Sequence, residues 1–424
     1  VKLKPYSQYK PLQNDVLGTI PNTWSFVRLK RVAELRYGDS LSAENRVDGD
    51  VAVFGSNGQV GTHKIANTLA PAIIIGRKGS YGKITFSPSK AFAIDTTYFI
   101  DATCLSANLR WLYYCLQTLC LDEFSQDTGV PGLSRDDAYS RHLALPPDRD
   151  QQKIASFLDR ETAKIDTLIS KQEKLIELLK EKRQAVISHA VTKGLDLAVP
   201  MKSSGVEWLG DVPEHWAIKR LKHISPAQIV GVVVNPSDFI VDVGMPFIYG
   251  GDIQEGTINL NTARRINDVG NMKNKKSMLR MGDLVTVRVG APGITAVVPP
   301  ELDGGNCASV MVIKGADNFS SSWLCYAMNS RPLRSQVEVV QYGAAQEQFN
   351  ISDAVDFVFA YPPLKEQHAI AQNLASISKK IDELIAKAGR AISLQKEHRA
   401  ALISAAVTGK IDVRDAVADL QQAA

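Results

Sequence analysis

The chain is poor in cysteine: five among 424 residues, Cys104, Cys115, Cys120, Cys307 and Cys325, odd in number and with no CxxC pair. A disulfide framework and a zinc site built on paired thiols are therefore not expected, and the five read as buried thiols of a reducing compartment. No window holds the roughly 20 apolar residues of a membrane helix, so no membrane partner is expected. Val1-Lys2-Leu3-Lys4-Pro5 lacks the apolar core of a secretory signal, and the expected compartment is the cytoplasm. The seven histidines show no HExxH or other metal spacing. Gly76 to Lys83 approaches a phosphate-binding loop, but Gly76 and Gly82 are spaced too widely for one and Ile84 stands where Ser or Thr is needed. Asn235-Pro236-Ser237-Asp238 lacks the second proline and the aromatic of the Asn-Pro-Pro-aromatic motif of amino-methyltransferases. No acidic triad for cleavage is recognisable. The chain reads as a binder.

What the chain does have is a second copy of part of itself. Pro146 to Asp196 returns as Pro362 to Asp412 at a constant offset of 216, with 24 of 51 aligned positions identical. Among the identities are Gln151/Gln367, Ile154/Ile370, Leu158/Leu374, Ile165/Ile381, Asp166/Asp382, Arg183/Arg399 and Val191/Val407. The segment before each copy repeats too, from Leu17 to Trp24 and from Leu209 to Trp216, but at offset 192, so the second variable segment is longer by 24 residues. Two copies at so long a period imply a duplicated domain pair rather than a solenoid. The order is variable, helix, variable, helix, and pseudo-two-fold symmetry within one polypeptide is expected.

The repeated segments carry a coiled-coil pattern. Leu158, Ile165, Leu179 and Val186 occupy one core position of a heptad and Leu168 and Leu175 the other; the second copy places Leu374, Ile381 and Leu402 with Ile377, Leu384 and Ala391. Polar residues interrupt the seam at Glu161, Gln172, Lys182, His189, Gln395 and His398. Pro146, Pro147, Pro362 and Pro363 stand before the helices, where the chain must be extended, and Gly194 and Gly409 mark their ends. Each helix would be about 60 Å long. Flanking charge of mixed sign leaves each a narrow apolar stripe, so the two are expected to pair antiparallel, with the globular segments at opposite ends of a rod. The alternative is two long amphipathic helices of one larger core.

The variable segments mix short strand-like runs, such as Ala72-Ile73-Ile74-Ile75 and Asp283 to Val287, with glycine-rich turns. Both follow such a strand with an arginine two residues before a glycine: Gly76-Arg77-Lys78-Gly79-Ser80-Tyr81-Gly82-Lys83 and Val287-Arg288-Val289-Gly290-Ala291-Pro292-Gly293. Glycine permits close backbone approach to a phosphate or base edge, and arginine supplies the matching fork. A structural hairpin with a surface arginine is the equal alternative. Net charge is only +4, but Arg264 to Arg280 holds six basic residues against one acidic residue, which points to nucleic acid.

In the Leu17 to Trp24 and Leu209 to Trp216 openings, Gly55-Ser56-Asn57-Gly58, Gly76 to Gly82, Met281 to Val285, and Pro146-Pro147…Gln151 and Pro362-Pro363…Gln367, the layout resembles the specificity subunits of Type I restriction–modification enzymes. One departure is Asp148-Arg149-Asp150 against the more family-like Leu364-Lys365-Glu366, which puts a helix start in question. The resemblance spans almost the whole chain and implies a mixed α/β fold: two target recognition domains, 1–145 and 199–361, separated by conserved helical regions 146–198 and 362–424 forming a coiled-coil spacer. It further implies double-stranded DNA as partner, each domain reading half of a bipartite target and the helices setting the gap. Two modification subunits would dock on the helices and methylate adenine, and restriction subunits would join them for defence against foreign DNA. S-adenosylmethionine, ATP and Mg would be held in those partners, with no cofactor in this chain.

On this reading Arg77, Lys78, Lys83, Arg264, Arg265, Lys273, Lys275, Lys276 and Arg288 form the DNA face, most of them on phosphate. Two other readings compete. A single-chain methyltransferase or nuclease with unrecognised motifs would modify DNA alone, and an adaptor using its helices only for assembly would show no sequence-selective DNA binding.

Overall fold

The computed structural model describes residues 4–12, 17–123, 132–342 and 347–416. They form two compact units, Val1–Glu173 with Arg390–Ala424 and Lys174–Gly389, so each unit contains part of both long helices.

In the first unit, Arg36–Tyr37, Thr97–Ile100, Ala72–Gly76 and Ile84–Ser87 form an antiparallel sheet in that order. The strand Ala72–Gly76 is buried throughout, which explains its unbroken apolar run. Gly58–His63, Val51–Gly55 and Phe92–Ala93 make a second sheet. Helix α1 (Leu109–Leu116) is capped by Asn108, whose side chain accepts from Trp111 N; α2 (Arg135–Ser140) precedes the strand His142–Leu145, which pairs with Ser25–Arg28. The long helix α3 (Asp148–Lys193) begins in this unit. Residues from both ends of the chain meet here: Tyr9–Pro11 pairs with Thr19–Pro21, Tyr9 Oη donates to Gly409 O at 2.9 Å, and Asp412 N donates to Lys4 O at 2.7 Å.

The second unit repeats the four-stranded sheet with Gln228–Val230, Val310–Ile313, Leu284–Val287 and Thr295–Val297 in the equivalent order. The offset between equivalent residues is 192 at Trp24 and Trp216, 211 at Arg77 and Arg288, 212 at Trp111 and Trp323, and 216 at Gln151 and Gln367. Most of the extra length therefore enters between residues equivalent to 24 and 77. There the second unit builds a different sheet, Ile240–Val241, Arg264–Ile266, Met245–Ile248 and Asn306–Cys307, and α4 (Asp268–Lys273). Helices α5 (Ser321–Met328), α6 (Arg331–Val340) and α7 (Ile351–Ala354) lead to Val358–Tyr361, which pairs with Ala217–Arg220, and then to α8 (Leu364–Val407).

The duplicated residues hold each globular fold to its helices. Buried Gln151 donates to Pro146 O at 2.9 Å and accepts from Asn108 N at 2.7 Å; Gln367 repeats this with Pro362 O at 2.9 Å and Ser320 N at 2.8 Å. One amide thus closes the turn before a long helix and fastens the start of α1 or α5. Trp24 and Trp216 are buried against the glycines that end the helices: a Cβ on Gly409 would meet the Pro21 ring at 2.5 Å and Trp24 at 3.2 Å, and one on Gly194 would meet Trp216 at 3.3 Å. Both glycines have positive φ, 73° and 80°, the left-handed end of a helix. The two helices start at equivalent residues, so the Asp148-Arg149-Asp150 departure leaves the helix start intact. It changes the carboxylate instead. Glu366 reaches Trp216 Nε1 at 2.9 Å and His215 Nε2 at 2.7 Å, whereas Asp150 is one methylene shorter and buried Trp24 Nε1 has no partner.

Within each unit the helix segments run antiparallel. In the second, Arg183 Nη1 lies 2.6 Å from Asp382 Oδ1; in the first, Arg399 Nε lies 2.8 Å from Asp166 Oδ1. Residue numbers total 565 in both pairs, and the same total joins Leu158 with Val407 in one core and Val191 with Leu374 in the other.

The seam differs from the expected one. Leu158, Ile165, Leu374 and Ile381 are buried and Leu179, Val186 and Leu402 half-buried, but Leu168, Leu175 and Leu384 are 47%, 43% and 48% exposed. The second core position lies four residues after the first, not three: Thr162, Ile169, Ile176, Arg183 and Ala190, and Ser378, Ile385, Ile392, Arg399 and Ala406, all buried or half-buried. At 3.6 residues per turn both spacings fall near one face, and the leucines at the shorter spacing drew the expectation there. The globular folds decide it, since Tyr114 Oη lies 3.2 Å from Thr162 Oγ1. Cys120 is a second correction: it is exposed, with φ 48°, while the other four cysteines are buried. It sits in a turn just past α1, where its thiol is left outside the core.

Replacing Leu158 by Ala should cost roughly 2–5 kcal/mol, and the same change at Leu168 within about 0.5 kcal/mol of nothing. Gln367→Leu should cost roughly 2–6 kcal/mol by stranding two buried backbone groups, each worth about 1–3 kcal/mol. Urea unfolding of the four proteins measures all of these, and equal losses at 158 and 168 would contradict this seam.

Candidate nucleic-acid interface

The arginine-bearing turns that the sequence paired adopt one conformation in both units. Gly82 N donates to Gly76 O at 2.8 Å and Gly293 N to Val287 O at 2.9 Å. Gly79, Gly82, Gly290 and Gly293 all have φ between 74° and 93°, so glycine is required at these turns. Gly76 itself is needed for space, because a Cβ there would meet Ser80 O at 2.2 Å.

The arginines are partly committed to the fold. Arg77 donates through Nε and Nη2 to Asp95 O at 3.1 and 2.6 Å, and Arg288 through Nε to Phe349 O at 3.3 Å. Each guanidinium keeps further N–H groups beyond these bonds. Lys78 is exposed beside Arg77. Lys83 Nζ reaches across to the neighbouring turn, donating to Asn57 O at 2.7 Å and Oδ1 at 2.9 Å. That bond joins Gly55-Ser56-Asn57-Gly58 to the arginine turn.

In the second unit Arg264 and Arg265 are exposed on their strand, Arg264 lying 5.2 Å from the Tyr249 ring. The basic turn that follows is held by asparagines: Asn267 caps α4 by accepting from Gly270 N at 2.8 Å, and Asn306 donates to Asn271 Oδ1 at 3.0 Å and Asn274 O at 3.1 Å. Gly270 lies against Phe239, where a Cβ would come within 2.3 Å of a side-chain carbon. On this fixed turn Lys273, Lys275 and Lys276 are exposed, Lys273 lying 5.3 Å from the Phe239 ring. Among the described residues no carboxylate is within 4.0 Å of Lys78, Arg264, Arg265, Lys273, Lys275 or Lys276. A rigid turn carrying unneutralised cations suits a phosphodiester backbone.

Tyr37 and Arg135 are members of this surface that the sequence did not reveal. Tyr37 is 49% exposed, and the guanidiniums of Arg135 and Arg77 lie 4.1 and 5.2 Å from its ring centroid. Its ring is tilted against Tyr98 at 5.1 Å. Arg135 Nε is buried without a hydrogen-bond partner. No spacing rule could unite residues 37, 77 and 135; the sheet does so by setting Tyr98 opposite both Tyr37 and Ile75.

Comparison with known proteins bears on the family. Residues 21–178 match the family described as the Type I restriction modification DNA specificity domain. The chain is 24% identical over 349 residues to the Type I restriction enzyme EcoBI specificity subunit of Escherichia coli, covering 80% of this chain and 73% of that one. Residues 21–178 thus carry the Type I restriction modification DNA specificity domain, and the likeness to the EcoBI subunit extends over most of the chain. Two solved structures share the fold of the chain. A chain from a study of complex assembly and conformational transition of the type I R-M system covers 92% of it and is itself covered to 99%, at 16% identity and TM-score 0.63. The HsdS subunit of Thermoanaerobacter tengcongensis covers 94% and is covered to 100%, at 16% identity and TM-score 0.50. The sequence matches support a DNA-specificity role, and the solved structures support the fold alone. No helix among the described residues is long and apolar enough to cross a membrane.

Burial first, and then the adjoining phenol of Tyr37, push the Tyr98 hydroxyl up to about 12. Its ordinary value is about 10. The folded state therefore holds this proton more tightly than the unfolded chain does. The associated stability is complete below about pH 10 and is lost as pH rises through about 12. Tyr98→Phe should flatten that alkaline loss in thermal scans; an unchanged slope would show that Tyr98 does not titrate in this way.

Proposed function

We propose that each recognition fold reads one part of a bipartite duplex target, and that the chain supplies specificity while its partners supply chemistry. The observation that carries this reading is the repetition of one arginine-bearing glycine turn in two folds that otherwise differ, each with exposed unpaired cations nearby. Arg77 and Lys78 with Tyr37 and Arg135 form the contact surface of the first fold; Arg264, Arg265, Lys273, Lys275, Lys276 and Arg288 form that of the second. Lys83 serves mainly to brace its turn, since Asn57 occupies its ammonium. Most of these cations would meet phosphate, which sets register without carrying sequence information, and the side chains that differ between the folds would meet base edges.

The exposed leucines of the long helices, Leu168, Leu175 and Leu384, favour docking of other subunits over a purely intramolecular role. Two modification subunits carrying S-adenosylmethionine are the proposed occupants. Restriction subunits using ATP and Mg would join them, and the whole would work in the cytoplasm. The chain itself would bind none of these cofactors and catalyse nothing.

Two outcomes test the proposal. Lys275→Ala or Lys276→Ala should weaken DNA binding evenly across sequences and reduce the slope of log K against log salt by about one unit; a slope unchanged in both variants removes this turn from the DNA. Mapping of methylated adenines in cells that carry the chain with its partners should return a motif of two half-sites with an unread gap. A continuous motif would contradict two separate readers, and methylation by the purified chain alone would revive the enzyme reading.

A further inference from the structure

The second unit contains a cavity of about 360 Å3 lined by Arg183, Val297, Ser322, Cys325, Tyr326 and Asp382, among others. The first unit shows what this place in the fold can hold. There Arg110 of α1 points its guanidinium at three rings, with carbon-to-centroid distances of 4.2 Å to Phe86, 4.9 Å to Tyr113 and 5.3 Å to Tyr114. Its Nε lies 2.6 Å from Asp159 Oδ1, which also accepts from Tyr114 Oη at 2.7 Å.

Each of these residues has an equivalent in the second unit. Phe86 corresponds to Val297, since both lie on the last strand of the four-stranded sheet, opposite Ile73 and Leu284 respectively. Arg110 corresponds to Ser322 and Tyr113 to Cys325, through the shared Trp111/Trp323 of α1 and α5. Asp159 corresponds to Ala375 at the constant offset of 216. Guanidinium, two aromatic walls and carboxylate have all been replaced by smaller groups. Val297, Ser322 and Cys325 line the resulting cavity.

One feature of the first site persists. Tyr326 stands where Tyr114 stands, and Ser378 shares the cavity lining with it at the place of Thr162. The lining also carries the carboxylate of Asp382, the duplicate of Asp166 and not of Asp159: its Oδ1 takes Arg183 at 2.6 Å as Asp166 takes Arg399, and on this side chain, 59% exposed, no described residue donates to Oδ2. Glu255, also in the lining, is satisfied by Arg334 and Gln184. A tyrosine face and a free carboxylate oxygen in one cavity are the groups that attract a planar cation, and the volume falls within the roughly 300–1,000 Å3 typical of small-molecule sites. We propose that this cavity binds a small molecule bearing a guanidinium group, which takes the place that the Arg110 side chain fills in the first unit.

The test uses the full chain with agmatine as probe and putrescine as a diamine lacking the planar fork. Agmatine should bind with Kd in roughly the millimolar range and, at about tenfold excess over Kd, raise the unfolding temperature of the second unit by about 3 °C. Putrescine should do neither. Ser322→Arg combined with Ala375→Asp rebuilds the first unit's own pair inside the cavity and should abolish the response to agmatine. Should that variant fail to fold, nuclear Overhauser contacts between agmatine and the Tyr326 ring of the unaltered protein give an independent reading. Equal binding of putrescine, an agmatine response that survives in the folded double variant, or absence of contacts to Tyr326 would each overturn the proposal.

Discussion

Antiparallel register between the two long helices is the constraint on which both units depend. Both ion pairs that define it, Asp166 with Arg399 and Arg183 with Asp382, join residue numbers totalling 565, and the same total is shared by Leu158 and Val407 in one core and Val191 and Leu374 in the other. The ion pairs are half exposed, and pairs of that kind contribute only about 0.2–1 kcal/mol. Their importance lies in selection of one alignment, because a slip of one heptad would bring neither arginine to its aspartate and would set the buried positions 158 and 191 against the wrong partners. Stability comes from the apolar ends of the helices, which are built into the recognition cores.

From that register follows the role of the other duplicated residues. Gln151 and Gln367 each satisfy two buried backbone groups at once, and Trp24 and Trp216 each close on a glycine with positive φ at a helix end. These are the points at which a recognition fold meets its helices. They are alike in both units because the junction is the same, while the surfaces facing outward are free to differ. Of the 24 extra residues of the second fold, 19 enter between Trp216 and Arg288, and the contacts at the junction are the same in both units.

Much of this was legible in the sequence, and for physical reasons. Repetition exposed the helices, their glycine ends and the paired arginine turns, because identical packing demands identical residues. The mixed α/β character came from the family resemblance, with which the strand-like runs and heptads agree. Periodicity could not distinguish a spacing of three from one of four, so Leu168, Leu175 and Leu384 were placed in a seam that belongs to Thr162, Ile169 and their equivalents. Composition could not show that Arg77, Arg288 and Lys83 spend hydrogen bonds on backbone and on Asn57. Tyr37 and Arg135 were invisible, since only the sheet brings them to Arg77. The emptied site at Ser322 could be seen only by superposing one half of the chain on the other.

The division of the helices between units also sets an order in time. Lys174–Gly389 is one continuous stretch, whereas the first unit requires Val1–Glu173 together with Arg390–Ala424. A ribosome adding roughly 5–20 residues per second would deliver the whole of the second unit while the first still lacked Ile403, Ala406 and Val407, the residues that cover Ile154 and Leu158. The recognition fold made first is thus the last to close, and for roughly 10–40 s its apolar helix face stays open to whatever else is in reach.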